Sequence, residues 1–123
     1  MSSDLIIKHF TNPRFVGRLE NPEMEIEVIG QACGDRLLVQ VQSNDGMVSD
    51  VAFQVWGTAA SMAAADIFCE SIKGKVFSEI SDRDDGEIEA MLGELEPSEH
   101  HCIDKLIELH RFLIAEAERQ GVM

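Results

Sequence analysis

The chain has 123 residues, 45% of them apolar, and a net charge of -13 from 23 acidic and 10 basic side chains. That length suits one domain, 1–123, around a single core, and the charge argues against nucleic acid because nothing would neutralise phosphates. The most apolar run, Val51 to Phe68, is broken by Gln54, Gly57, Thr58, Ser61 and Asp66, so no membrane span is expected. The acidity serves solubility or steers the chain toward a basic protein partner. The stretch Met1 to Phe10 carries one lysine and a short apolar patch. It reads as neither a secretory signal nor a transit peptide, and a cytoplasmic location is expected. Three cysteines in such a setting point to reactive thiols or metal ligands rather than a disulfide framework.

Ser3 to Phe10 reads as a short helix, with Leu5, Ile6 and Phe10 available for one face, stopped by Asn12-Pro13. Thr11 to Pro22 is loop. Glu25 to Ile29 and Leu37 to Ser43 alternate in part at period two, and Asn44-Asp45-Gly46 signals a tight hairpin before a third strand, Val48 to Trp56. After Gly57 the pattern turns helical, with Thr58 as N-cap, Ala59 to Lys73 as helix and Gly74 as stop. A brief helical turn over Val76 to Ile80 and a helix over Asp84 to Leu92, ended by Gly93, follow. The last helix has Ser98 as its predicted N-cap and runs to about Gln120. Ile103, Leu106, Ile107, His110, Leu113, Ile114 and Ala117 form its apolar stripe. Strands followed by helices predict an α+β fold: a small antiparallel sheet of about three strands with helices on one face.

Two thiols sit beside harder ligands. Cys33 is followed by Gly34 and Asp35, where glycine permits a sharp turn and close backbone approach. Asp35 can point to the same side as Cys33 in extended chain. Cys102 falls in the first turn of the last helix, where unpaired N–H groups and the helix dipole favour thiolate, and His101 precedes it. Adjacent helical side chains diverge by about 100°, so both serve one site only if it straddles the helix start. Each also has a plainer role available, as buried thiol or ordinary histidine. Cys69 shares a helical face with Met62, Ala65 and Ile72 and reads as core. It lies roughly 16 Å along the helix from Thr58 at about 1.5 Å per residue, too far to share a site there. His100 reads as solvated, His110 as packed or hydrogen-bonded, and Phe53 and Trp56 as core or interface.

In order along the chain, His9-Phe10-Thr11-Asn12-Pro13-Arg14-Phe15-Val16-Gly17, Ala32-Cys33-Gly34-Asp35, Phe53-Gln54-Val55-Trp56-Gly57, Ile72-Lys73-Gly74-Lys75 and His101-Cys102 resemble the motifs of the IscU/NifU-type iron–sulfur cluster assembly scaffolds. Lacking an insertion before His101, the chain looks more IscU-like than SufU-like. The resemblance implies a scaffold or carrier that accepts sulfur from a cysteine desulfurase, builds a cluster on iron, passes it to acceptor proteins, and can also hold zinc. Carried onto this chain, it makes Cys33, Asp35, His101 and Cys102 the ligands of iron or of a [2Fe–2S] cluster, with Cys102 as leading sulfur acceptor. Thr58 occupies the position of the family's middle cysteine, and a hydroxyl is a far poorer ligand than a thiolate. The family's chaperone-recognition segment, L-P-P-V-K, aligns with Leu95-Glu96-Pro97-Ser98-Glu99. An acid replaces the lysine and one proline is gone, which weighs against docking of the dedicated Hsp70-type chaperone. Two other readings stand beside the scaffold. One is a divergent paralogue that binds zinc or a protein partner and no longer assembles clusters. The other is an enzyme with Cys102 as nucleophile and His101 as base, disfavoured because no third orienting group is evident.

Overall fold

The structure, a computed structural model, describes residues 3–30 and 34–123. Helix α1 (Asp4–Thr11) starts at Ser3, whose side chain accepts from the Ile6 N–H, and ends at Asn12. Only Ile6 and His9 of this helix are buried. The expected apolar face is therefore corrected: Leu5 and Phe10 are exposed, because the face turned to the core is centred on Ile6 and His9.

Strands β1 (Met24–Ile29), β2 (Arg36–Asn44) and β3 (Met47–Trp56) form one antiparallel sheet in the order β1-β2-β3. The β2–β3 hairpin turns at Asp45 and Gly46, with φ of 53° and 78°, the paired positive values of a type I′ turn. The outer edge of β3 is covered where Phe53 N–H donates to Phe15 C=O and Gly17 N–H to Phe53 C=O, both at 2.9 Å. A loop from the N-terminal segment thus blunts an otherwise open edge.

Helix α2 (Ala59–Ile72) crosses the sheet and is buried at ten positions. Alanines at 60, 63, 64 and 65 let its backbone lie close to its neighbours. Short helices α3 (Phe77–Ser81) and α4 (Asp85–Ala90) follow, and α4 is opened by a reciprocal capping box between Asp84 and Glu87. The long helix α5 (His101–Gln120) packs against β1, α2, α3 and α4. Its start corrects the expected Ser98 cap: a 3₁₀ turn, Pro97–Glu99, leads in, closed by a capping box between Glu96 and Glu99. Its stripe is also re-centred. Cys102, Lys105, Leu106, Leu109, His110, Leu113 and Ala117 are buried, while Ile103, Ile107 and Ile114 only flank the core.

Two buried polar groups tie these layers together. Asp66 of α2 accepts from the backbone N–H groups of Arg14 and Phe15 at 2.8 and 3.0 Å and pairs with His9 Nδ1 at 2.5 Å. The Asn12-Pro13-Arg14-Phe15 segment is held to α2 by this one carboxylate. His110 donates from Nδ1 to Leu106 C=O at 2.8 Å, which fixes Nε2 as acceptor from Arg83 Nη1 at 3.1 Å, and its ring stands edge-on to Phe68. Burial, aided by the Arg83 charge, lowers its pKa to about 4 although the Leu106 carbonyl favours the proton.

Asp66→Ala strands two amides and a histidine, so a stability loss of about 3–5 kcal/mol is expected in urea unfolding. Asp66→Asn, which keeps one acceptor, should lose less; equal losses would refute the acceptor role. His110 is neutral in the fold, so between pH 6.5 and about 4 the unfolded chain takes up a proton that the folded one does not. Stability present above pH 6.5 falls across this window, by on the order of 3 kcal/mol at pH 4. Urea midpoints should drop less steeply with acid in His110→Gln than in the wild type.

Candidate functional site

The site lies at one end of the sheet, where β2 begins, β3 ends and helices α2 and α5 start. The β2–β3 register pairs Arg36 with Trp56, which sets Asp35 opposite Gly57. Gly30 N–H donates to Asp35 C=O, and Gly34 N–H to Gly30 C=O, both at 2.7 Å, closing the base of the β1–β2 connection. Cys33 falls within that connection and lies outside the described residues. Trp56, the last residue of β3, is exposed rather than core, and the Arg36 guanidinium sits 4.7 Å over its ring.

Asp35 is the centre of the arrangement, only 2% exposed. Its Oδ1 packs against Gly57 so closely that a Cβ built there would collide with the carboxyl group. Glycine is thus required at 57 by contact as well as by the turn into α2. Its Oδ2 receives three donors: Thr58 Oγ1 at 3.2 Å, Ser61 Oγ in a very short hydrogen bond, and Lys105 Nζ at 2.8 Å. Lys105 Nζ also donates to Ser61 Oγ at 3.0 Å, leaving that hydroxyl proton for Asp35. Thr58 caps α2 as predicted, accepting from the Ser61 N–H at 3.2 Å, and its own single proton is shared between Asp35 Oδ2 and Ser61 Oγ, the latter 3.0 Å away. Although burial opposes ionisation of Asp35, the bonds from Lys105, Ser61 and Thr58 and the ammonium charge outweigh it and hold the carboxyl well below the usual range.

His101 and Cys102 complete the wall. His101 Nε2 lies 3.8 Å from Asp35 Oδ2 and 3.7 Å from Cys102 Sγ. The two neighbours converge, despite the helical divergence of adjacent side chains, because His101 is the first residue of α5. The His101 side chain is 27% exposed, whereas Cys102 is fully buried. The expected thiolate character of Cys102 is corrected. Burial pushes its pKa up to about 11, reinforced by the Glu99 and Asp35 carboxylates, and the Lys105 charge and the Ser61 hydroxyl only partly offset this. Desolvation of a buried sulfur outweighs the helix start. Cys69 is buried in the core, as read from its spacing, and His100 is exposed.

Of the predicted ligands, then, Asp35, His101 and Cys102 are brought side by side. Among the described residues, no group of three His, Cys, Asp or Glu side chains is arranged to hold a metal ion. An ammonium and two hydroxyls occupy the carboxylate instead. Lys105 and Ser61 are the members the sequence reading missed. The available signal was Lys105 three residues after Cys102, on the face that carries the helix's buried leucines.

With this geometry in view, the comparisons are direct. The family model for the NifU-like N-terminal domain matches residues 1–111. The chain belongs to that family. It is 30% identical over 121 residues to the iron-sulfur cluster assembly scaffold protein IscU 1 of Archaeoglobus fulgidus, covering 98% of this chain and 79% of that one. It is 33% identical over 104 residues to the corresponding IscU protein of Escherichia coli, covering 81% and 80%. The fold is shared with a NifU-like protein from Brucella abortus, at a TM-score of 0.62 and 18% identity over 94% of this chain and 81% of that one. It is shared too with a putative SUF-system scaffold from Fervidobacterium islandicum, at 0.61 and 23% identity over 94% and 85%.

Alkylation of the Cys102-containing peptide by iodoacetamide in metal-free protein should rise about tenfold per pH unit and not level off before about pH 11. A plateau near the free-thiol value of about 8.5 would show the helix start to dominate after all.

Proposed function

We infer that the chain is an iron–sulfur cluster assembly scaffold or carrier and not an enzyme. The observation that carries this reading is the meeting of Asp35 with His101 and Cys102, from segments far apart along the chain, at the tip of a NifU-like N-terminal domain. Curated relatives at 30–33% identity bear the scaffold name. A soft sulfur, an imidazole nitrogen and a carboxylate suit iron held with sulfide in mixed ligation, and Cys33 supplies the second thiol of the set. Such a set suits a labile [2Fe–2S] cargo; zinc is a competitor for the same donors.

Sulfur arrives from a cysteine desulfurase. The Cys102 sulfur, on losing its thiol proton, attacks the outer sulfur of the donor's persulfide, an S–S bond forms at Cys102, the donor's S–S bond breaks, and the donor cysteine leaves as a thiolate that takes up a proton in return. Iron and the finished cluster are substrate and product, the latter passed to acceptor proteins. A cytoplasmic setting, where thiols stay reduced, fits this chemistry. Glu96 and Glu99 engage each other in the turn before α5. Glu99, a buried acid, stands where the family's chaperone segment carries lysine and Glu96 where it carries proline, so the dedicated Hsp70-type chaperone is not among the partners assigned.

Anaerobic reconstitution with ferrous iron and sulfide tests the reading. The wild type should develop sulfur-to-iron charge-transfer absorption in the visible, Cys102→Ser should lose most of it, and Thr58→Cys should gain in yield and lifetime. Absorption confined to Thr58→Cys would overturn native assembly.

A further inference from the structure

Lys105 is a lysine where a helix packed on a core would carry an aliphatic residue. It is 4% exposed, and its ammonium reaches across from α5 to the Asp35 carboxylate of the β1–β2 connection and to Ser61 of α2. Long cationic side chains ordinarily run their stems along apolar surface and leave the charge in water. Here the charge is driven inward, to the one carboxylate in the set of proposed ligands.

The oxygen of that carboxylate nearest His101, Oδ2, is committed, and Oδ1 is blocked on one side. Oδ1 lies against the Gly57 backbone, where not even a methyl group fits. Oδ2 carries Thr58, Ser61 and Lys105, with His101 Nε2 next at 3.8 Å. A carboxylate oxygen offers about two lone-pair directions, so Oδ2 has no acceptor capacity to spare. A divalent metal binds carboxylate oxygen at about 2.0–2.2 Å. That is inside the shell Lys105 occupies, and an ammonium has three donors and no lone pair with which to join the coordination. Two like charges cannot share the position, and of the three donors only Lys105 carries charge and a long enough stem to withdraw.

We propose that the Lys105 ammonium is a built-in competitor for metal at Asp35: a divalent cation gains Oδ2, the carboxylate oxygen that faces His101, only by expelling Lys105, so Lys105 sets the metal affinity of the site and holds its metal-free form closed. This rests on Asp35 being a ligand, as the scaffold reading has it. The exchange is of ions only, ammonium out and metal in, with no bond broken in the chain. Ser61 serves both states: its hydroxyl can stay on Oδ2 while Thr58 Oγ1 turns its proton to Ser61 Oγ, 3.0 Å away, which leaves the second lone pair of Oδ2 to the metal.

The test is titration of the reduced, metal-free protein with Co²⁺, followed by its visible ligand-field bands, and with Zn²⁺ in competition, for the wild type and for Lys105→Met. The apolar variant keeps the length of the side chain and removes the charge. It should bind both ions at least tenfold more tightly than the wild type. It should also melt lower than the wild type without metal, because Asp35 loses its counter-ion, and recover more on adding zinc. A measurement on the wild type alone stands in should the variant not fold. Reductive methylation of lysines, read by peptide mass spectrometry, should spare Lys105 without metal and modify it once zinc is bound. Equal affinities in the two proteins, or a Lys105 still protected with zinc in place, overturns the proposal. If the wild type still assembles a cluster on iron and sulfide in that case, the scaffold reading stands without it. Neither ion binding either protein, together with no cluster, overturns both.

Discussion

The buried carboxylate of Asp35 is the constraint on which the tip of this fold depends. It sits where four segments meet: the end of the β1–β2 connection, the Gly57 turn, the first turn of α2 and the first turns of α5. A charged group so enclosed is costly unless it is fully paired. Thr58, Ser61 and Lys105 provide the pairing, and each comes from a helix whose position is thereby fixed relative to the sheet. The cluster therefore organises the site geometrically before any cargo arrives. It places His101 and Cys102 beside the carboxylate because Lys105, one turn further along α5, is anchored to it.

The same logic explains the second polar anchor. Asp66 lies on the other side of α2 from the sheet-end site and holds the His9 ring and the Arg14-Phe15 backbone. The N-terminal motif shared with the scaffold family is thus accounted for by structure. His9 and the turn at Pro13 present donors that a carboxylate on α2 collects, and the loop that follows seals the β3 edge. His9 and Asp66 join α1 and the loop that follows it to α2.

Much of this was legible in the chain because it depends on local chemistry. Asp45-Gly46 dictates the hairpin, Thr58 and Asp84 cap their helices, and Gly74 and Gly93 stop theirs with φ of 82° and 70°. The α+β layering follows from the order of the elements. What was not legible depends on tertiary partners. Lys105 and Ser61 read as ordinary surface or helix residues until the fold brings Asp35 to them. Asp66 reads as a polar break in an alanine-rich run. Ser98 has the chemistry of a cap, but the Glu96–Glu99 box caps a 3₁₀ turn there instead, and α5 itself begins after His100 without a side-chain cap. The reactivity of Cys102 was misjudged for the same reason: a helix start is visible in sequence, and complete burial is not.

That burial bears on how the site works. Cys102 has no exposed surface and its thiol is held protonated far above neutral pH, so a macromolecular sulfur donor cannot reach it in the arrangement described. Under the scaffold reading, delivery needs an opening that uncovers the thiol, and Cys102 lies at the start of α5. That opening is resisted by the Lys105 contacts to Asp35 and Ser61, the charged bonds that span the gap. Under the proposed exchange, releasing Lys105 frees the carboxylate for metal and removes a tie between α5, where Cys102 lies, and α2. One ion pair thus couples the two events a scaffold must coordinate, the entry of metal and the exposure of sulfur. The hydroxyl at Thr58 belongs to the same design, since it supports the carboxylate in the closed state through a hydrogen bond that a thiol would make only weakly.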